Sequence, residues 1–179
     1  MTDQEAPLAG IQELLDRQRI LECLLRYCRG MDRLDLELTL SAYHSGAIED
    51  HGARIATCEE FVPQVLEYHR IGEVRTQHIL TNHLCQVERD TAHAESYVHC
   101  FSALPTGRNR LSFGRFVDRL EKRGQKWGIV SRVSLPEGAI DVTAFDDRAG
   151  MLDLPGTLGR SSRDRNDPSY LRPLPLTRG

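Results

Sequence analysis

Between Ile11 and Asp35 the chain reads IQELLDRQRILECLLRYCRGMDRLD, with Leu14, Leu21, Leu25 and Cys28 three, four or seven residues apart. That spacing places them on one stripe of a helix facing a core. Counting on through Cys28 brings Asp32 onto the same stripe, so a helix that persists turns a carboxylate inward, where it needs a partner. Gly30 weakens the helix after about Arg29, and a second helix is predicted from Leu34 to about Tyr43, with Leu36, Leu40 and Tyr43 on its inner side. Asp32 has a second reading, as a cap on that second helix from outside, and the sequence leaves both open. Residues 1–7 form a lead-in, with Pro7 tolerated at the first helical turn.

Ser45 and Gly46 interrupt the pattern, and AIEDH at 47–51 predicts a short strand. Thr57 and Glu60 have the spacing of a capping box, which starts a third helix whose inner edge is Phe61, Val65 and Tyr68 or His69. Pro63 falls within its first two turns. From Val74 the period changes to two, so Val74, Thr76, His78, Leu80, Asn82 and Leu84 share one face of a strand. A tight turn at Glu88–Thr91 with Arg89 and Asp90 at its tip leads into a partner strand over 93–104. Counting across that turn sets Asn82 opposite Tyr97, Leu80 opposite His99 and His78 opposite Phe101. Two more strands follow, 111–121 and 126–135, joined around Gly124. In the last one Gly128, Val130, Arg132 and Ser134 share a face opposite Trp127, Ile129 and Val133. After Pro136 the pattern dissolves into Gly, Pro, Ser, Arg and Asp. Helices first and long antiparallel strands afterwards give an α+β chain, a domain over 1–136 with an extension over 137–179.

The 179 residues, 40% of them hydrophobic, suffice for one sizeable core. A net charge of -3 with scattered Arg offers no footprint for nucleic acid. No stretch reaches the length of a membrane span. The N-terminus MTDQEAPLAG is acidic and lacks a basic region followed by an apolar run, which predicts no secretory or transit signal and a cytoplasmic protein. Five cysteines, odd in number and without a CxxC pair, argue for reduced buried thiols rather than zinc or disulfides. His44, Glu49, Asp50 and His51 lack a fixed ligand geometry and read as a solvated rim, so no metal site is expected. The Arg run near 160–165, alternating with Asp164 and Asp167, reads as a solvated or intersubunit segment.

The order of elements, RYCRGMD closing the first helix, the HILTN strand and the WGIVSR strand together resemble the SnoaL-like branch of the nuclear transport factor 2-like superfamily, over roughly residues 8–136. Its members include scytalone dehydratase, the bile acid 7α-dehydratases, the lindane dehydrochlorinase, ketosteroid isomerase and polyketide cyclases. The resemblance implies a cone of three helices against a curved antiparallel sheet, an apolar cavity, and a homo-oligomer, dimer or trimer. It matches Asp32 and His78 to an Asp that orients a proton-abstracting His, Tyr27 to a tyrosine one helical turn before that Asp, and Arg132 to an arginine on the final strand. It departs where the bile acid dehydratases carry a second carboxylate, since the counted register puts Phe101 there with His99 two residues away.

The chemistry stands without the family. An Asp on one ring nitrogen of a His fixes the tautomer and stabilises the imidazolium, leaving the other nitrogen to accept a proton. Such a dyad is a base, not a nucleophile. No GxSxG elbow occurs and no Cys is evidently paired with a His, so acyl transfer lacks support. Arg132 could supply a fixed cation, and Tyr27 or Tyr97 a phenol donor. Asn82, Tyr97, His99 and Phe101 fall on the face of His78 as candidate substrate contacts. The reading is a cofactor-independent lyase or isomerase acting on a small apolar ring compound of steroid, polyketide or terpene type. The rivals are a non-catalytic binder of small apolar ligands and an assembly subunit resembling the β-subunit of a ring-hydroxylating dioxygenase. In the binder His78 serves only to hydrogen-bond the ligand; residue by residue, His78 also reads as a core or rim histidine, the tyrosines as packing residues and Arg132 as a charge on the outer sheet face.

Overall fold

The computed structural model describes residues 5–143 and 161–175, with side chains from residue 10. The expected lead-in at 1–4, Arg160 and the extension over 144–160 lie outside the described residues. Helices α1 (Glu5–Arg33), α2 (Leu36–Leu40) and α3 (Cys58–Gly72) cover a curved, unclosed sheet of β1 (Tyr43–Asp50), β2 (Ile55–Thr57), β3 (Arg75–Glu88), β4 (Thr91–Ala103), β5 (Asn109–Arg123) and β6 (Lys126–Val142). The strand order is β2-β1-β6-β5-β4-β3, with β1 parallel to β6 and every other pair antiparallel. This is the expected α+β cone.

Helix α1 runs four residues past Arg29, straight through Gly30. Gly30 is there for close approach: a Cβ on it would lie 2.3 Å from Thr39 Oγ1 and 2.6 Å from the Thr39 backbone nitrogen. The helix stops at Leu34, held at φ 52, where the Leu34 N–H returns to the Met31 carbonyl at 3.3 Å and the Asp35 N–H to that of Gly30 at 2.9 Å. The cap of α2 is Asp35, whose carboxylate accepts from the Leu38 N–H at 3.1 Å, and Asp32 is left to face inward. The buried stripe of α1 is Ile20, Cys23, Leu24, Tyr27, Cys28 and Met31, while Leu14 and Leu25 are 68% and 47% exposed. The buried stripe is therefore rotated from the expected one, gaining Ile20 and Tyr27 and losing Leu14 and Leu25.

Helix α2 is shorter than expected and β1 longer. Tyr43 opens the strand, buried, and Leu36 is exposed. In α3 the capping box forms, with Glu60 accepting from the Thr57 N–H at 3.3 Å, and His69 rather than Tyr68 takes the buried edge.

The β3–β4 hairpin turns at Arg89 and Asp90 as counted, and the count holds from Glu88↔Thr91 to His83↔Ser96. It then slips by one, because Thr81 and Asn82 together oppose Tyr97, and the pairs beyond are Leu80↔Val98, Ile79↔His99 and His78↔Cys100. A bulge turns every later side chain to the other face. The inner face is thus Thr76, His78 and Leu80 on one side of the bulge, His83, Cys85 and Val87 on the other. Leu84, expected inside, is 74% exposed.

A second irregularity, on β6 between Ile129 and Ser131, lets Trp127, Ile129 and Arg132 all point inward, where simple alternation separates them. The strand expected to end before Pro136 continues to Val142. Within 161–175, Arg163 and Tyr170 tie the segment back to the cone, while 164–166 and 171–175 are exposed. Arg163 donates to the carbonyls of Asp32, His69 and Glu73 at 3.3, 3.1 and 2.8 Å, and Tyr170 donates its hydroxyl to Asp35 at 2.7 Å. The five cysteines are free, and among the described residues no helix is long and apolar enough to cross a membrane.

The deepest polar feature is Arg132, fully buried and bidentate to the equally buried Asp118 at 2.7 and 3.0 Å. Its guanidinium lies 4.2 Å from the Tyr27 ring centre and 4.1 Å from that of Phe116. Burial lowers its pKa and the Asp118 charge more than reverses this, holding it well above the ordinary range. Asp118→Ala, which strands that cation, is expected to cost about 3–5 kcal/mol in urea unfolding, with much of the loss recovered in Asp118→Leu/Arg132→Met; a single-variant loss below about 1 kcal/mol refutes the pair as a structural anchor.

Candidate active site

Asp32 sits in the last turn of α1 and His78 near the start of β3, and the structure brings them together. The His78 ring donates from Nδ1 to Asp32 Oδ1 at 2.7 Å, and its backbone N–H reaches Oδ1 and Oδ2 at 3.1 and 3.0 Å. One carboxylate thus fixes both the ring and the strand that carries it. The two side chains are 8% and 11% exposed. With Nδ1 engaged, Nε2 is the nitrogen left for a ligand.

His78 lines a cavity of about 270 Å³ with Tyr27, Met31, Val98, Cys100 and Phe116. Burial lowers the His78 pKa, but the hydrogen bond His78 donates to Asp32 and contact with Cys100 outweigh it and push the value up to about 10. Cys100 is the cross-strand partner of His78. A cysteine beside the histidine was not expected, because the unforeseen bulge moves Cys100 into the position counted for Phe101.

Two further histidines line the same cavity, each tied to a carboxylate. His69 bonds through Nδ1 to Glu73 one helical turn on, and its ring meets that of His78 edge-on at 5.8 Å. Burial raises the Glu73 pKa, and the His69 bond and charge more than offset it, so the net shift is downward. His51, at the end of β1, bonds through Nε2 to Glu49 at 2.9 Å and stacks on Phe61 at 4.2 Å. Glu49 is fully buried and also accepts the Tyr43 hydroxyl. In the sequence Glu49 and His51 read, with His44 and Asp50, as a solvated rim, whereas Glu49 and His44 are buried; His69 and Glu73 were not paired there, although His and Glu four apart on a helix are neighbours.

The other expected site residues divide. Tyr27 is 2% exposed and lines the cavity, its phenol pushed well up by burial. Arg132 is inside the cone, not on the outer face, but it is not among the cavity-lining residues, because it is sandwiched between Tyr27 and Phe116. Tyr97, His99 and Phe101 alternate with the cavity-lining Val98 and Cys100 and so occupy the outer face of β4, and Asn82 is exposed within the bulge. None of these four lines the cavity; the one-residue slip removed them all. His44 is buried with Nε2 on the Glu121 carbonyl at 2.9 Å, away from His51. Among the described residues no three His, Cys, Asp or Glu side chains converge as metal ligands.

Three helices against a curved, unclosed six-stranded sheet form the cone of the nuclear transport factor 2-like class. Residues 12–133 match the SnoaL-like domain family, and the chain belongs to it. Among solved structures, a putative scytalone dehydratase from Novosphingobium aromaticivorans superposes with a TM-score of 0.68 at 16% identity, over 76% of this chain and 93% of that one. The hexachlorocyclohexane dehydrochlorinase LinA-type3 from Novosphingobium barchaimii gives 0.69 at 15% identity, over 76% and 96%. A protein of unknown function with a cystatin-like fold from Nostoc punctiforme gives 0.60 at 24% identity, over 69% and 92%. At these identities the likeness is one of fold. No curated protein matches the chain in sequence.

Because the folded-state pKa of His78 is raised above its ordinary 6.5, the dyad's contribution to stability is fully present below about pH 6.5 and is lost as pH rises through about 10. Urea unfolding between these limits is expected to show wild-type stability falling more steeply than that of Asp32→Asn. Parallel pH dependences for the two proteins rule this linkage out.

Proposed function

We propose that the protein is a lyase or isomerase in which neutral His78 removes a proton from carbon. Asp32 orients the ring and stabilises the imidazolium that forms, with no cofactor in the proton transfer itself. The observation that supports this reading most directly is the 2.7 Å Asp32–His78 bond at the wall of the cavity. A charged partner on Nδ1 makes Nε2 a stronger base, which suits a carbon acid such as the position next to a ketone. Tyr27, held against Arg132, is placed to donate to a carbonyl oxygen on which charge develops. The cavity falls just below the roughly 300–1,000 Å³ usual for ligand pockets, which favours a one- or two-ring compound over a larger polycycle. That the names of the fold neighbours include a dehydratase and a dehydrochlorinase agrees with elimination chemistry.

The test is deuterium exchange and loss of water on a panel of cyclic hydroxyketones. His78→Ala is expected to lose about 10²–10⁴ in rate and Asp32→Asn somewhat less. The wild-type rate of deuterium exchange, which needs only the base, is expected to rise with pH towards about 10, since neutral His78 becomes more abundant as it deprotonates. Equal rates in all three proteins, or an exchange rate that falls from neutral to alkaline pH, sink the reading.

We also infer a homo-oligomer that covers the outer sheet face. There Ile79 and Tyr97, each 40% exposed, and Ile140, 54% exposed, share a surface with His99, Phe101 and Leu111. Light scattering is expected to give a multiple of the 20.3 kDa chain mass, and Ile79→Lys/Ile140→Lys to reduce it; a wild-type monomer refutes this.

A further inference from the structure

Elimination of water needs two proton transfers, one from carbon and one to the departing oxygen, because hydroxide is a poor leaving group. The proposed function assigns the first to His78 and leaves the second open. Its donor must line the same cavity, reach the substrate from somewhere other than the His78 strand, hold a proton without being locked by its own bonds, and recover that proton from solvent.

Cys100 fails on position, being the residue directly across from His78 on the adjoining strand. His69 packs edge-on against His78 and is 9% exposed, on the same side of the cavity and shut off from water. Tyr27 is buried, with its proton held far more tightly than an ordinary phenol's. His51 meets all four conditions. It comes from the end of β1, which β6, β5 and β4 separate from β3 in the curved sheet, yet both histidines line one cavity. Its Nε2 is fixed by the buried Glu49 and its ring by the face of Phe61, so its orientation is set. Among the described residues Nδ1 makes no hydrogen bond, and the side chain is 29% exposed, open to reprotonation.

Resting on the reading above, we propose that His51 is the catalytic acid of the site, donating from Nδ1 to the hydroxyl that leaves, and that the substrate class is therefore alcohols β to a carbonyl. In the step, His78 Nε2 takes the proton from carbon and the C–H pair becomes the new C=C bond. The C–O bond breaks, and the oxygen keeps its pair, takes the His51 proton and departs as water. His78 ends charged and His51 neutral, and solvent returns each to its starting state. Glu49 holds the His51 ring through Nε2 as Asp32 holds that of His78 through Nδ1. It is a positioning residue.

The test separates leaving groups. The probes are 3-hydroxycyclohexanone, 3-acetoxycyclohexanone, whose acetate leaves without needing a proton, and deuterium exchange into cyclohexanone from D₂O. His51→Gln, which can keep the bond to Glu49, is expected to lose about 10²–10⁴ in dehydration while acetate elimination and exchange stay within about threefold of wild type. His51→Phe, which keeps the stacking on Phe61, is expected to do the same, so a folding defect in one variant leaves the other to decide. Equal losses with both leaving groups, unchanged dehydration in both variants, or a wild type that exchanges but does not dehydrate overturns the assignment of His51. Absence of exchange in the wild type, or exchange that survives His78→Ala, removes the proposed function beneath it instead.

Discussion

A carboxylate shut away from water must find donors, and among the described residues Asp32 finds them on a single one, taking the ring N–H and the backbone N–H of His78 together. Much else near the top of the cone follows from that bond. It joins the end of the longest helix to the beginning of the first long strand, 46 residues later in the chain. The helix can deliver Asp32 there because Leu34 ends it immediately afterwards and Asp35 takes over the capping of α2. Arg163 then closes the back of the same junction, gathering the carbonyls of Asp32, His69 and Glu73 and the Thr76 hydroxyl. Carbonyls at the ends of two helices thereby share one guanidinium from a segment distant in sequence, that of His69 also accepting the Glu73 N–H at 3.2 Å.

Deeper in the cone a second ion pair is held more tightly. Arg132 and Asp118 face each other on neighbouring strands with no exposure at all, and the guanidinium faces two aromatic rings that themselves line the cavity. The cavity floor is therefore a polar layer covered by an aromatic one. A buried cation close under Tyr27 gives that phenol a fixed electrostatic environment, whereas a water-filled cleft would have to reorganise around each new charge.

The pairing of Asp32 with His78 was legible because it rests on two local periods, a helical count that lands on a carboxylate and a strand parity that lands on an imidazole. The neighbours of His78 were not legible. Predicting them needed the register of one hairpin over its whole length, and a single extra residue at Thr81–Asn82 exchanged Phe101 for Cys100 and sent Tyr97 and His99 to the outer face. Turn residues announce where a hairpin begins; a bulge carries no comparable composition signal in TN or YVH. Gly30 illustrates a different ambiguity. The same absence of a side chain that weakens a helix also allows Thr39 to approach within contact, and nothing local tells the two apart. Arg132 was assigned to a strand face by alternation, and the irregularity at Val130 made alternation the wrong rule. Its partner on β5 could be found only once the two strands were in register.

Three histidines on one cavity, each bonded to a carboxylate, would be redundant if the bond alone set their behaviour. Burial distinguishes them. The side chains of His78 and Asp32 are 8% and 11% exposed, so water screens their attraction weakly and the proton on His78 is held hard. Behind His51 stands a carboxylate with no exposure at all, but the His51 side chain is 29% open, which gives solvent a route to it. His69 is nearly as closed off as His78 and meets it edge-on at 5.8 Å, so these two rings share one wall of the cavity. His51 reaches the same cavity from the end of β1, with β6, β5 and β4 lying between it and β3 in the sheet, so the histidine most open to water stands apart from the pair that is shut away from it.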